Sequence, residues 1–140
     1  MVMKKEFMRE RFGRGSFFIL AVIFAACIVI QVFIAGLSIF VSPVNWMNHT
    51  MFVHLFGMNL PLLLFVTALI GKIPKWAYLH TFGLLVFIFA MYFTANITDN
   101  IPWAGALHPI LAMILFMQSA VMVMNSWKMI VKKQVIEGVE

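Results

Sequence analysis

Four histidines are the residues best suited to chemistry in this chain, and all of them lie in strongly apolar sequence. His49 and His54 occur together in "WMNHTMFVHLFG" (46–57), whereas His80 and His108 occur singly. A neutral imidazole can bind a metal through one ring nitrogen while the other nitrogen donates a hydrogen bond. Two imidazoles on facing helices are also the arrangement that holds the iron of a b-type haem from both sides. A ligand site is therefore the first chemistry to consider.

Other chemistries lack their components. The long apolar stretches contain no Asp, Glu, Lys or Arg, which excludes a charge relay or a coupled-ion path of the usual kind. No Cys–His or Ser–His–Asp constellation is apparent, so an enzyme is less expected than a binding protein. Methionine and histidine together can bind copper, but the twelve methionines are spread along the chain without a clustered motif. Haem is the better candidate ligand.

Composition indicates that these histidines lie in a membrane. The chain has 140 residues, of which 64% are hydrophobic and 11% charged, far from the balance of a soluble domain. Stretches of about 20 uncharged residues predict membrane helices. We therefore predict an all-α, up-down-up-down four-helix transmembrane bundle with short loops. The spans are 16–41, 44–70, 76–97 and 103–127, between a basic cytoplasmic leader (1–15) and a cytoplasmic tail (128–140).

The charges predict the orientation of the bundle. Lys and Arg occur in the leader, in the loop around 72–75 and in the tail, whereas loops 42–45 and 98–102 carry only Asp99. By the positive-inside rule, both termini are cytoplasmic in a multi-pass cytoplasmic-membrane protein. The first span is too long for the apolar core of a cleaved signal peptide. The pI of about 9.7 thus reports topology and contact with the bilayer, and no nucleic-acid partner is expected.

Two histidines are predicted to lie at equal depth. His49 follows Pro43 by six residues and His108 follows Pro102 by six, so each lies about 9 Å below the outer end of its helix. His80 is placed near the opposite, cytoplasmic side. "FIAGL" (33–37) and "FTANI" (93–97) each precede one of these proline–histidine pairs. The two-helix unit is therefore a candidate repeat related by a pseudo-twofold axis along the membrane normal.

Helical periodicity then separates the two histidines of span two. His49 and His54 are rotated by about 140° about their helix, so only one of them can point squarely into the bundle. His54 shares its face with Gly57 and Pro61, and Pro61 should kink the span. His108 shares its face with small residues that favour close helix contacts, namely Ala112, Ser119 and Ser126.

The motifs "VIQVFIAGL" (29–37), "ALIGKIPKW" (68–76) and "GALHPILAMILFM" (105–117) resemble an uncharacterised family of small four-helix bacterial membrane proteins. More distantly, the plan is similar to one four-helix half of haem A synthase and to cytochrome b-like bundles. In the synthase family, histidines on helices two and four bind haem near the outer face.

The resemblance implies that His108 is the fourth-helix ligand and His49 the second-helix ligand, since Gly57 follows His49 by eight residues as in that family. Trp46 and Thr50 stand where the synthase pattern has a glutamate and an arginine, which speaks against chemistry on a haem methyl group. We therefore expect a small b-type haem-binding protein that acts in electron transfer or haem handling with a quinone or another membrane redox partner. His54 is the substitute or supporting residue. The alternative is a cofactor-free accessory subunit or homo-oligomeric scaffold with structural histidines.

Overall fold

A computed structural model describes residues 2–137, with side chains described for 5–131. Met1 and the last three residues of the predicted tail, 138–140, lie outside the described part. The described residues form helices and contain no strand. The helices are α1 (Val2–Phe40), α2 (Asn45–Phe56), α3 (Asn59–Ile70), α4 (Lys75–Ile97), α5 (Pro102–Gly105) and α6 (Leu107–Glu137).

Four segments are long and apolar enough to cross a membrane, which confirms the predicted all-α fold of a multi-pass membrane protein. They are Lys5–Phe40, Asn45–Ile70, Lys75–Ile97 and Pro102–Val131. The helices continue past the predicted apolar spans: α1 runs through the charged leader, whose Lys, Glu and Arg residues are good helix formers. The loops 41–44 and 98–101 lie at one end of the bundle, here called the neutral end, and loop 71–74 lies at the other, the basic end.

The helices form a closed ring of antiparallel neighbours. Helix α1 packs against α2, α3 and α6, and α4 packs against α3, α5 and α6. Among the described residues, no Cα of α1 comes within 8 Å of α4, and none of α2 or α3 comes within 8 Å of α6. Spans two and four are therefore diagonal to each other, and only side chains can connect them.

Two prolines interrupt the spans that carry the candidate ligands. Pro61 and Pro109 cannot donate an amide hydrogen to the carbonyl four residues earlier, which belongs to a glycine in both cases, Gly57 and Gly105. Span two accordingly breaks between α2 and α3 at 57–58, and span four breaks between α5 and α6 at Ala106. The interruption at 57–58 lies where the sequence predicted that Pro61 would disturb the helix.

The core contains large apolar side chains and small hydroxyl groups. The fully buried residues include Phe17, Phe24, Leu64, Leu84 and Met122. Many other large apolar side chains face outward along all four spans, as expected for surfaces that contact lipid. The four-helix arrangement thus buries the core residues against each other. It leaves the outward faces to contact acyl chains.

The predicted small-residue face of span four is confirmed. Ser119 and Ser126 are 1% and 0% exposed, and each hydroxyl donates to a carbonyl of its own helix. Self-satisfied hydroxyls of this kind let neighbouring helices approach without leaving a polar group unpaired.

At the basic end, α1 contacts loop 71–74 through glycine. A Cβ atom on Gly13 would lie only 2.3 Å from the amide nitrogen of Gly71, so these two backbones touch. The Arg14 Nε donates to the Gly71 carbonyl oxygen at 3.0 Å. Glu10 lies 3.1 Å from the Lys72 ammonium and 3.6 Å from Arg14. The charged extension of α1 thus closes this end of the bundle.

Candidate functional site: a pair of histidines across the bundle

His49 and His108 meet across the diagonal of the bundle. Their ring centroids are 6.5 Å apart, and the ring planes are inclined by 54°. His49 lies on α2 and His108 near the start of α6, two helices whose backbones do not approach each other. The structure therefore brings together the two histidines that were predicted to lie at equal depth.

The ring of His49 is held by α1. Its Nδ1 lies 3.2 Å from the carbonyl oxygen of Gln31, and the Gln31 Nε2 donates to the carbonyl oxygen of His49 at 2.9 Å. The two residues therefore form a reciprocal pair of hydrogen bonds between spans one and two. The Trp46 ring packs edge-on against the imidazole, with centroids 5.4 Å apart.

The ring of His108 is held by α4 in the same way. Its Nδ1 lies 3.1 Å from the carbonyl oxygen of Met91 and 3.2 Å from Thr94 Oγ1. The Thr94 hydroxyl is itself within hydrogen-bond distance of the Ala90 carbonyl at 2.9 Å, so its oxygen can accept from the imidazole. Both oxygens can accept a hydrogen bond, so the His108 Nδ1 is the donor in each contact.

These partners assign the tautomer of both rings. A carbonyl oxygen can only accept, so the Nδ1 atoms of His49 and His108 must carry hydrogen. In a neutral imidazole, Nε2 then has a free lone pair. Neither Nε2 atom makes a hydrogen bond within the part of the chain that the structure describes. The site therefore presents two potential metal-binding nitrogens, oriented as metal-bound histidines commonly are.

The distance between the ring centroids would allow both imidazoles to bind one metal ion. One ion bridging two imidazoles, with metal–nitrogen bonds of about 2 Å and about 1.1 Å from each nitrogen to its ring centre, puts the centroids about 6 Å apart. The observed separation is 6.5 Å. The described residues contain no group of three or more His, Cys, Asp or Glu that could hold a metal ion. Iron that draws its other ligands from a porphyrin needs only such a pair.

The donor set thus fits haem iron, whereas room for a macrocycle requires side chains to move. One groove is lined by Ile34, Asn48, Met51, Phe52 and Leu55, and another by Met58, Leu85, Val86, Phe89 and Tyr92. Neither groove is lined by His49 or His108. Gln31 Oε1 beside the pair is buried and has no hydrogen-bond partner, so the site retains one acceptor for a further donor.

His54 lies on a different face and does not join the pair. Its Nδ1 is 3.1 Å from the Tyr92 hydroxyl, and the two rings stack with centroids 5.4 Å apart. Gly57 lies next to this contact, since a Cβ there would be 3.6 Å from the Tyr92 hydroxyl. A Cβ at Gly57 would be in ordinary contact with Tyr92 but only 2.7 Å from the carbonyl oxygen of Val53, and neither paired histidine is among its nearest neighbours.

His80 lies toward the basic end, where its ring packs against Trp76 with centroids 6.1 Å apart. Its carbonyl oxygen accepts a hydrogen bond from Gln118 Nε2 at 2.8 Å. Gly83 admits this glutamine, because a Cβ there would lie 2.3 Å from Nε2. These contacts give His80 a structural position between spans three and four.

Several participants in the site were not identified from the sequence. Met91 and Gln31 contribute main-chain carbonyls, which every residue type has and which a sequence therefore cannot distinguish. The side chains of Thr94 and Tyr92 were not predicted to take part. The repeat is the signal that could have found Met91: aligning "FIAGL" with "FTANI" places Met91 opposite Gln31. In the same alignment, Ser38 bonds the carbonyl of Ile34 and Thr98 bonds that of Thr94.

Comparison with known proteins finds similarity to a family model over part of the chain. The model of a family described as "Family of unknown function (DUF6220)" matches residues 31–98, a segment that contains His49, His54 and His80 and ends before His108. No curated protein and no solved structure matches the chain. The chain is thus similar over this segment to a family of unknown function, as expected, and no match indicates similarity to haem A synthase or to cytochrome b.

Proposed function

We propose that this protein binds b-type haem between His49 and His108 and acts in electron transfer or haem handling in the cytoplasmic membrane. One observation carries the proposal: the two rings are 6.5 Å apart while each Nδ1 is engaged by a backbone carbonyl. Haem would supply a one-electron iron couple. Transmembrane orientation follows from charge, with the basic end in the cytoplasm and the neutral end outside.

The protein's own contribution is to hold two neutral imidazoles in place. Hydrogen bonds from Nδ1 to the carbonyls of Gln31 and Met91 fix the tautomer and the ring orientation, and such bonds increase the basicity of the free nitrogen. Because the carbonyls belong to α1 and α4, each ligand is oriented by the neighbouring span. The half-buried position of both rings limits the access of water to the metal-binding nitrogens.

The proposal is tested by absorption spectroscopy of the protein purified in detergent from haem-replete cells, before and after titration with haemin. We expect a Soret band that His49→Ala and His108→Ala each abolish or shift. The matched controls His80→Ala and His54→Ala should leave the band in place. A protein that shows no Soret band, even after haemin is added, does not bind haem in this way.

A second candidate function is a cofactor-free accessory subunit or scaffold, and the reciprocal bonds between Gln31 and His49 favour it. In that case the histidines serve to join adjacent spans, with each net hydrogen bond contributing about 1 kcal/mol. His49→Gln and His108→Gln would then lower the melting temperature of protein that carries no haem. Under this hypothesis haemin leaves the melting temperature of the unmodified protein unchanged, whereas under the first it raises it.

A further inference from the structure

His54 and Tyr92 form a polar pair on the outer surface of the bundle. The Tyr92 hydroxyl and the His54 Nδ1 are 3.1 Å apart, and the imidazole is exposed. His54 lies about 14 Å along α2 from the neutral end, and Tyr92 about 8 Å along α4. This depth falls within the hydrocarbon core of a bilayer, where a polar group without a partner is costly. The pair satisfies one nitrogen of the imidazole, and the other, Nε2, makes no hydrogen bond within the described part of the chain.

An apolar groove leads away from this pair. It has a volume of about 410 Å³ and is lined by Met58, Leu85, Val86, Phe89 and Tyr92. Tyr92 stands at its end nearest the neutral end of the bundle, because Leu85, Val86 and Phe89 precede it along α4. A ligand in this groove would contact hydrogen-bonding groups at one end and only apolar side chains along the rest.

We infer that this surface binds the head group of a membrane quinone or of its quinol, with the isoprenoid chain in the groove between Met58 and α4. The inference concerns a site other than the paired histidines and stands whether or not haem is bound there. The quinone head group is uncharged, small and flat, and its oxygens lie at the end of a long apolar chain. Those properties match a polar pair at the end of an apolar groove.

The hydrogen-bonding chemistry of the pair suits both redox states of such a ligand. When the Tyr92 hydroxyl donates to Nδ1, Nε2 carries hydrogen and can donate to a quinone carbonyl. When Nδ1 carries the hydrogen and donates to the Tyr92 oxygen, Nε2 can accept from a quinol hydroxyl. A single shift of tautomer therefore exchanges a donor for an acceptor without placing a charge in the membrane.

The surroundings argue against a phospholipid head group as the occupant. Among the residues that line the groove and the pair, none is charged. Phosphate head groups lie at the interface and are recognised by Lys and Arg, and His54 lies well below that level. The occupant must instead be a neutral amphiphile that enters the hydrocarbon region.

Photoaffinity labelling tests this inference. The full-length protein in lipid nanodiscs is irradiated with a benzoquinone that carries an aryl azide on its ring, with decylubiquinone as the competitor, and labelled peptides are located by mass spectrometry. We expect competed label on the segments 54–58 and 85–92. Removing one hydrogen bond with Tyr92→Phe should raise the decylubiquinone concentration needed for half-maximal competition about fivefold, and His54→Leu should do the same.

Two matched variants control for loss of a phenol or an imidazole elsewhere. Tyr78→Phe removes a hydroxyl that donates to the Ala68 carbonyl at 3.1 Å, and His80→Leu removes the ring beside Trp76. Neither should alter the competition, and melting temperatures identify any variant that fails to fold. His54→Gln keeps a donor and an acceptor and should retain part of the binding.

Three results would overturn the inference. Label that decylubiquinone does not displace, or competition that Tyr92→Phe leaves unchanged in a folded protein, shows that the pair does not bind quinone. The third result is the formation of disulfide-linked dimers by the double variant Phe89→Cys, Cys27→Ala, without competed label. It would show that a second copy of the chain covers this face in place of quinone. The Soret band is measured separately on the same samples. Failure of the quinone proposal can therefore be distinguished from failure of the haem proposal.

Discussion

Gln31 and Met91 occupy equivalent positions in the two halves of the chain, and the main-chain carbonyl of each accepts the Nδ1 hydrogen of a histidine on the following span. The pairing of Phe33 with Phe93 in the sequence repeat predicts this equivalence. The sequence repeat predicts an approximate twofold axis between the two halves, and the two histidine rings meet on the diagonal of the bundle. An internal repeat placed on such an axis produces a symmetric two-ligand site from one kind of helical hairpin.

The equivalence allows a direct exchange, Gln31→Met. The carbonyl at position 31 stays, so His49 should keep its orientation, but the bond from Gln31 Nε2 to the His49 carbonyl is lost. We expect a loss of about 1 kcal/mol in stability and an unchanged Soret position in haem-loaded protein. Thermal unfolding followed at the Soret band measures both. A shifted or absent band would instead show that the glutamine side chain positions the ligand.

The contact between Gly13 and Gly71 should be intolerant of a methyl group. In Gly13→Ala the new carbon would lie 2.3 Å from a backbone nitrogen that cannot move away alone, so we expect a loss of about 1–3 kcal/mol. Gly15→Ala is the control, because nothing lies within 4 Å of its Cβ position and alanine favours the helix by about 0.5–1 kcal/mol. Melting temperatures in detergent should fall for the first variant only.

Gly83 and Gln118 should behave as one unit. Gly83→Ala displaces the Gln118 amide from the His80 carbonyl, and Gln118→Leu removes the same hydrogen bond. Each variant alone should cost about 1 kcal/mol, and the double variant should cost less than the sum of the two. A double-mutant cycle of unfolding free energies measures this coupling. Additive losses would mean that Gly83 serves another contact.

The orientation inferred from charge predicts which loops are accessible from each side. In a Cys27→Ala background, Asn100→Cys should react with a membrane-impermeant maleimide applied to intact cells or spheroplasts. Lys72→Cys should react only after the membrane is permeabilised. The opposite pattern would put the paired histidines near the cytoplasmic surface.

Pro61→Ala should straighten span two. Alanine restores an amide hydrogen that can bond the carbonyl of Gly57, which favours one continuous helix from Asn45 to Ile70. Straightening changes the position of His54 relative to Tyr92 more than that of His49, because His54 is closer to the break. We therefore expect weaker competition by decylubiquinone with little change in the Soret band. The control is Pro74→Ala, at a helix start where no bond is missing.

The sequence predicted those features that depend on counting along one helix. Uncharged length defined the spans, and the equal offsets from Pro43 and Pro102 predicted that His49 and His108 lie level. The contact of His54 with Tyr92 could not be predicted, because it depends on how α2 and α4 rotate about their axes. Neither helix has a marked hydrophobic stripe that would indicate its rotation. The carbonyl partners of the two paired histidines could not be predicted for a different reason, since every residue type has the same main-chain oxygen.

The ring arrangement also has a consequence for biogenesis. Helix α1 is synthesised before α6, and α6 covers part of its packing surface. Until α6 is inserted, the face of α1 that α6 covers, which includes Phe18 beside Trp127, must be covered by lipid or by the insertion machinery. The paired histidines likewise meet only when the second hairpin closes on the first, so a nascent chain has no assembled ligand site before its synthesis passes Leu107.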